Sequence, residues 1–287
     1  MNLKMKEAPY IWLISGCSSG FGREIALKAL SMGDLVGVSS RNTEDVKDIC
    51  KAFPKTSIPI KLDVTKKDEI KESIKKINKH FGGLDVLVNN AGYGYLAAIE
   101  EGEDKEVRKL FETNFFGALE LTKAALPIMR AQKFGRIINN SSQAGIMANP
   151  GTGYYSSSKF ALEGLMEALD KELRPLNISV TSVQPGAFKT DWSGRSMKRS
   201  KIEISDYNKH VKERIEMIRS IDGKQPGDPN RAAKIIFELS RNPNPPDKLL
   251  LGAGVLNAYK EKLLGLSKQI EEFESTTLSA DYPEINN

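Results

Sequence analysis

A doubly wound α/β fold is what this 287-residue sequence predicts: a single domain with a parallel sheet of about seven strands and helices on both faces. Three observations lead there. Strand-like and helix-like patterns alternate without a break, the signature of successive βα units. The strand candidates are short continuous apolar runs, as expected of parallel strands buried on both faces. The first of them runs directly into a glycine-rich turn and a helix, a junction at which phosphates can reach backbone N–H groups.

Tyr10 to Ile14 is the first strand, followed by Ser15-Gly16-Cys17-Ser18-Ser19-Gly20-Phe21-Gly22 and a helical pattern that Gly33 should cap. The spacing Gly-x-x-x-Gly-x-Gly differs from the Gly-x-Gly-x-x-Gly dinucleotide fingerprint but shares its mechanism, with a wider first turn. Leu35 to Ser39 is the second strand and ends at Ser40-Arg41. An acidic residue at this strand end would suit the ribose hydroxyls of NAD, whereas the planar fork of Arg41 suits a 2′-phosphate. That favours NADP(H) over NAD(H), the plainer alternative being a surface arginine.

A helix over 43–53 leads to the strand Ile58 to Leu62 and then Asp63-Val64-Thr65, with Thr65 and Asp68 read as a helix N-cap pair. Leu84 to Val88 is the next strand, running into Asn89-Asn90-Ala91-Gly92, small residues that let backbone approach a ligand. The helical pattern from about Asp104 to Arg130 is interrupted at Asn114 and Gly117. An asparagine in an apolar helix must find partners, structural or catalytic. The fifth strand starts at Gly135 and exits at Ser141-Ser142, at the carboxyl edge where open α/β sheets bind ligands.

A turn-rich link then leads to a helix carrying Tyr155 and Lys159, which runs to about Arg174 before Pro175. Residues four apart on a helix share a face, so a phenol and an ammonium stand side by side. A nearby cation favours phenolate and makes the pair a tunable acid and base. Taken alone, the pair equally describes a core tyrosine and a solvated lysine. Ile178 to Val183 is the sixth strand, ending in Pro185-Gly186-Ala187-Phe188-Lys189-Thr190. A charged excursion over about 188–221 leaves the sheet at the same edge and reads as a substrate lid. Its Lys189, Arg195, Lys198, Arg199 and Lys201 suit either an anionic substrate or a solvated surface, and Trp192, Met197 and Tyr207 either a pocket or lid packing. Asn230 to Ser240 is a helix, Lys248 to Leu251 the last strand, Val255 to Phe273 an amphipathic helix, and the final dozen residues a tail; together 255–287 form a C-terminal extension.

Composition narrows the function classes. The net charge of +5 is spread through the chain and gives no nucleic-acid footprint. Cys17, Cys50, His80 and His210 are too dispersed to form a metal site at the usual spacings. The N-terminal apolar patch is too short for a signal core and no run is long enough to span a bilayer, which gives the expectation of a cytoplasmic protein. One rival motif is present. Gly16-Cys17-Ser18-Ser19-Gly20 also fits the nucleophile elbow of serine hydrolases, with Ser18 as nucleophile and either histidine as its base.

Seven motifs occur in one order: SGCSSGFG, LDVT, NNAG, Asn114, INNSSQAG, YYSSSK and PGAFKT. In this the chain, from about Tyr10 to the last helix, resembles the short-chain dehydrogenase/reductase family, most closely its steroid- and retinol-dehydrogenase-like branch. The resemblance implies a Rossmann-type fold and an NADP(H)-dependent oxidoreductase acting on CH–OH or C=O groups. Tyr155 would be the general acid/base and Lys159 would lower its pKa and hold the nicotinamide ribose. Ser142, thirteen residues before Tyr155, would polarise the carbonyl, and Asn114 would hold a water linking Lys159 to solvent. Cofactor contacts would come from Gly16, Ser18, Ser19, Gly20, Phe21 and Gly22, from Ser40 and Arg41, and from Asp63 and Val64. Asn90, Ala91, Gly92, Pro185, Gly186, Phe188 and Thr190 would complete them. Ser15 replaces the family's usual threonine, and Ser19 is not the basic residue often found there in NADP enzymes. The resemblance also implies a small-molecule carbonyl or alcohol substrate and a homo-oligomer, dimer or tetramer, associating through the helices of Asn114 and Tyr155. Leu162, Leu165, Met166 and Leu169 suit that or core packing. The competing function is a non-catalytic dinucleotide sensor or scaffold on the same fold.

Overall fold

The computed structural model of the chain describes residues 3–190 and 196–282. Seven strands lie in one parallel sheet: β1 (Ile11–Ile14), β2 (Leu35–Ser40), β3 (Ser57–Lys61), β4 (Val86–Asn89), β5 (Gly135–Asn140), β6 (Ile178–Pro185) and β7 (Lys248–Leu251). Their order across the sheet is β3-β2-β1-β4-β5-β6-β7. The strand order reverses between β1 and β4, and such a switch point opens a crevice at the carboxyl edge. Register places Ile11 opposite Leu35 and Trp12 opposite Val86.

Successive side chains on a strand point to opposite faces, which explains the continuous apolar runs. Trp12, Ile14, Val36, Val38, Val86 and Val88 pack on one face with Ile25, Ala29, Ala233 and Ile236 of α1 (Gly20–Ser31) and α8 (Pro229–Ser240). Leu13, Ile60, Leu87 and Ile137 face the other side. There they meet α3 (Lys67–Phe81), α5 (Gly117–Gln132) and α6 (Gly153–Leu173), through Ile74, Leu121 and Leu162. Leu162 and Met166 belong to that core and Leu165 and Leu169 pack against it, so these four residues are accounted for by packing within the chain.

Gly33 ends α1 as expected, at φ +87 with its N–H donating to the Leu30 carbonyl. Three local expectations are corrected. Thr65 does not cap α3: Lys66 holds that position, and Thr65 turns back to give both its N–H and its hydroxyl to Asp63. An Asx turn has won the competition for the same backbone. The segment 43–53 is not one helix, because a 3₁₀ turn, Thr43–Val46, precedes the short α2 (Lys47–Ala52). After α9 (Ala253–Glu272), a short α10 (Glu274–Leu278) takes in the first three of the dozen residues read as a tail, and the last five of those lie outside the described residues.

The interruption at Asn114 takes a definite form. Helix α4 (Asp104–Phe111) passes into α5 through a wide π turn, Glu112–Phe116, with Asn114 buried inside it. Two short segments, Gly94–Leu96 and Met197–Arg199, pair in parallel as a separate ribbon. Beyond it the excursion folds into a π turn, Asn208–Lys212, and α7 (Glu213–Ser220). Val211 and Ile215 dock on Leu96 and Ala98 and hold this excursion against the ribbon. Asp191, Trp192 and Arg195 lie outside the described residues. Among the described residues, no helix is long and apolar enough to cross a membrane and no group of side chains could hold a metal ion.

Candidate active site

Two adjoining clefts open along the carboxyl edge of the sheet. The first, about 430 Å³, is lined by Gly16, Ser18, Ser19, Gly20 and Phe21 from the turn before α1, and by Ser40 and Arg41 beyond β2. Asp63, Val64, Asn90, Ala91, Gly92 and Thr190 also line it. The second, about 230 Å³, is lined by Ser142, Tyr155, Lys159, Pro185, Gly186 and Phe188. Phe21, Asn90, Gly92, Asn140 and Thr190 line both, so the clefts are continuous.

The turn before α1 has the shape a phosphate cradle needs. Gly16 (φ +72) and Gly20 (φ +57) adopt left-handed backbone that side chains rarely tolerate. Gly22 lines neither cleft but fixes how closely they can be built. A Cβ there would stand 2.3 Å from the Gly16 carbonyl oxygen and 2.4 Å from Asn90 Nδ2. The Ser15 hydroxyl, left open by the threonine-to-serine departure, ties this turn to the NNAG segment. It accepts from the N–H groups of Asn90 (2.8 Å) and Ala91 (2.9 Å) and donates to the Val88 carbonyl (3.2 Å). Asn90 completes the junction, donating to the carbonyls of Ser15 and Gly16 at 2.9 and 3.0 Å. These residues fit a dinucleotide: an open glycine cradle at a helix N-terminus leads to a cleft with an arginine at its far end.

In the second cleft, Tyr155 and Lys159 are both buried on the first turns of α6. Lys159 Nζ lies 5.9 Å from the centre of the Tyr155 ring and donates to the Asn140 carbonyl at 2.8 Å. Burial pulls the Lys159 ammonium down from 10.5 to about 8, while the Glu163 carboxylate one turn further along the helix opposes that shift. Tyr154 points elsewhere, its hydroxyl donating to the Ile99 carbonyl at 2.5 Å. The two serines also separate. Ser142 is half-buried and caps a 3₁₀ turn by accepting from the Ala144 N–H at 3.0 Å. Ser141 is buried, with its hydroxyl close beneath Gly145.

Asn114 stands behind the cleft and does not line it. Its Oδ1 accepts from the Tyr93 N–H at 3.1 Å, and its Nδ2 donates to the Tyr93 carbonyl (3.0 Å) and to Ser158 Oγ (3.1 Å). Gly92 lies between it and Lys159: a Cβ on Gly92 would be 3.1 Å from Asn114 Oδ1 and 3.8 Å from Lys159 Nζ.

The serine-hydrolase alternative loses its base. His80 is exposed on the last turn of α3, which leads into the amino end of β4 and so lies at the edge opposite Ser18. His210 is exposed in the π turn Asn208–Lys212 and lines neither cleft. Several lining residues were not singled out from the sequence, three of them with polar side chains of note. Asp45 borders the first cleft beside Arg41 and accepts from Ser40 Oγ at 3.4 Å. Tyr93 borders both clefts, and Arg214 of α7 borders the second. Asp45 and Arg214 sit in charged helical segments whose periodicity gives no sign of a cleft, whereas Tyr93 directly follows the NNAG motif and was within reach. In the excursion after β6, Lys198 borders the first cleft and pairs with Glu106 at 3.0 Å, Met197 packs beside Leu96, and the Tyr207 hydroxyl donates to Glu100 at 2.7 Å. Met197 and Tyr207 pack against Leu96, Ala98, Val211 and Ile215 and line neither cleft.

Comparison with known proteins decides the family. The short chain dehydrogenase model matches residues 11–201. The chain belongs to the short-chain dehydrogenase/reductase family. Oxidoreductase BOA17 of Botryotinia fuckeliana is 34% identical over 268 residues, covering 90% of this chain and 97% of that protein. The 3-ketodihydrosphingosine reductase of Bacteroides thetaiotaomicron is 35% identical over 246 residues, covering 85% and 88%. A crystal structure of a short-chain dehydrogenase from Streptomyces avermitilis superposes with a TM-score of 0.90 at 36% identity, covering 96% of this chain and all of that one. The chain is thus an oxidoreductase of this family with the family's parallel sheet.

Proposed function

We propose that this oxidoreductase interconverts a carbonyl and an alcohol with NADP(H), using Tyr155 as general acid and base. The observation that carries the reading is the meeting of Ser142, Tyr155 and Lys159 in one cleft that continues into the glycine cradle. When bound, the nicotinamide supplies or removes hydride at the carbonyl carbon. In the reductive direction the Tyr155 phenol gives its proton to the carbonyl oxygen, and in oxidation the phenolate takes it back. The Ser142 hydroxyl orients and polarises that oxygen. Lys159, held by the Asn140 carbonyl, favours the phenolate by its charge. Asn114 is the fourth member of the set and fixes the turn beside Lys159 through Tyr93.

Arg41 supports the preference for NADP(H), since a guanidinium at the end of β2 can grip a 2′-phosphate in its planar fork. Asp45 at the same end is engaged by Ser40. The ketone reductase among the relatives is consistent with carbonyl chemistry. The test is oxidation of NADPH and of NADH with a panel of ketones and aldehydes, wild type against Tyr155→Phe. Turnover should favour NADPH and fall by roughly 10²–10⁴-fold in the variant, with NADPH binding retained. Turnover indifferent to the substitution would remove Tyr155 as the acid. NADPH binding without turnover on the whole panel would favour the sensor reading instead.

A further inference from the structure

Helix α7 turns one face to the second cleft. Arg214, Ile218 and, just past the helix end, Ile221 line it, at spacings of four and three that keep them on one side. That helix is fixed from behind. Val211 and Ile215 pack on Leu96 and Ala98, and a Cβ on Gly151 would stand 2.9 Å from Ile215 Cγ1 and 3.3 Å from Val211 Cγ1. Gly151 lies just before α6, and its carbonyl accepts from the Ala97 N–H at 3.0 Å. The helix bearing Arg214 is therefore held against the start of the helix bearing Tyr155.

Arg214 has no partner there. Its Nε is closed off from solvent without an acceptor, and among the described residues no carboxylate pairs with the guanidinium. Its own helix supplies none, because the residues three and four away are Val211, His210, Met217 and Ile218. Two lysines of the excursion differ in this respect: Lys198 pairs with Glu106 and Lys212 with Glu203, both at 3.0 Å. The cleft offers no counter-charge either. Its described lining holds no aspartate or glutamate, and its other cation, Lys159, is engaged by the Asn140 carbonyl. Lys189, Lys198, Arg199 and Lys201, which by sequence suit an anionic substrate, do not line this cleft. A guanidinium keeps its charge at any ordinary pH. Partly shut from water and short of an acceptor, it favours whatever anion enters beside it.

We propose that Arg214 binds an anionic group of the substrate, so that the enzyme acts on an oxo acid or the matching hydroxy acid. The carbonyl meets Ser142 and Tyr155, an end that rests on Tyr155 being the general acid. The carboxylate accepts from the fork of Arg214, and the aliphatic part lies against Ile218 and Ile221 on the same helix face. A phosphate of the cofactor is a poorer occupant, since Arg214 does not border the cleft of the glycine cradle.

The test is kcat/KM, with NADPH saturating, for straight-chain oxo acids of increasing length, each against its methyl ester. The best acid should exceed its ester by roughly tenfold or more, and Arg214→Leu should bring the two to parity, chiefly through KM. Arg214→Lys should keep part of the preference, as a point charge without the fork. Arg219→Leu, which removes an exposed arginine of the same helix that lines neither cleft, should keep all of it. Calorimetric titration of straight-chain saturated carboxylates into the NADP+-loaded protein gives a readout independent of turnover, and Arg214→Leu should weaken that binding by about tenfold. Acids no better than esters, or a preference that survives Arg214→Leu, overturns the proposal and leaves the Tyr155 reading standing. An equal loss for acid and ester with weaker NADPH binding assigns Arg214 to the cofactor and overturns it too. Carboxylate binding that depends on Arg214, in a protein that reduces no carbonyl, upholds the anion site and removes the Tyr155 reading instead.

Discussion

Lys159 combines a place in the candidate catalytic cleft with an electrostatic cost. Burial lowers its pKa from 10.5 to about 8, so between those two values the unfolded chain holds a proton that the folded chain has released. Stability therefore rises with pH through that window, and below pH 8 the folded state carries the full cost of a buried ammonium. Lys159→Met should consequently raise the thermal midpoint of the cofactor-free protein at pH 7, by roughly 2–4 °C for each kcal/mol regained. The gain should shrink as pH rises from 8 to 10.5, while turnover is lost throughout. Thermal scans of both proteins at pH 7, 9 and 10.5 check this, and a midpoint at pH 7 no higher than wild type would contradict it. The thiol of Cys17 shows the opposite sign for the same reason, pushed up to about 12 chiefly by burial, so it has no nucleophilic thiolate near neutral pH.

At the scale of elements, the junction between β1 and α1 depends on what Gly22 lacks. By helix propensity alone, alanine should be better there by about 1 kcal/mol. The approach of Gly16 and Asn90 reverses that sign, because backbone cannot yield as a flexible side chain can. Gly22→Ala should cost roughly 1–3 kcal/mol and weaken NADPH binding, read by denaturant titration and NADPH fluorescence. Gly164→Ala on the open face of α6, where nothing lies within 4 Å, should be neutral or stabilising in the same assays. The five inner strands were legible because burial on both faces writes itself as an apolar run, whereas the edge strands β3 and β7 are partly exposed and showed through the apolar residues they keep. The Gly94–Leu96 and Met197–Arg199 ribbon was not, since each strand has three residues and its partner lies about a hundred residues away. The π turn was half legible. Asn114 marked an irregular helix, but nothing local in the sequence distinguishes a wide turn from a break. Cleft-lining residues carried by motif, such as Ser142 and Tyr155, could be read directly. Asp45 and Arg214 are brought to the clefts by tertiary packing alone.

Across the whole molecule, segments about two hundred residues apart in sequence are joined beside the first strand. The carboxylate of Asp34, 1% exposed, accepts from the Tyr10 N–H at 2.9 Å and from Trp12 Nε1 at 2.7 Å, and pairs with Arg241 after α8. Arg241 in turn lies 4.1 Å over the rings of both Tyr10 and Phe237. Removing the carboxylate leaves two buried donors and a partly buried cation without their acceptor. Asp34→Ala should therefore cost roughly 2–4 kcal/mol, lowering the urea midpoint with little change in slope. A loss below about 0.5 kcal/mol would place this contact among ordinary surface ion pairs.

Asn114 has a consequence beyond its neighbourhood to Lys159. Its carboxamide exchanges two hydrogen bonds with one residue, taking the Tyr93 N–H and giving to the Tyr93 carbonyl. Paired residues of an antiparallel ladder make the same exchange. A single side chain, lifted out of helical step by a wide turn, thus imitates one rung of a strand that is not there. The loop after β4 is thereby gripped at Tyr93 as a neighbouring strand would grip it.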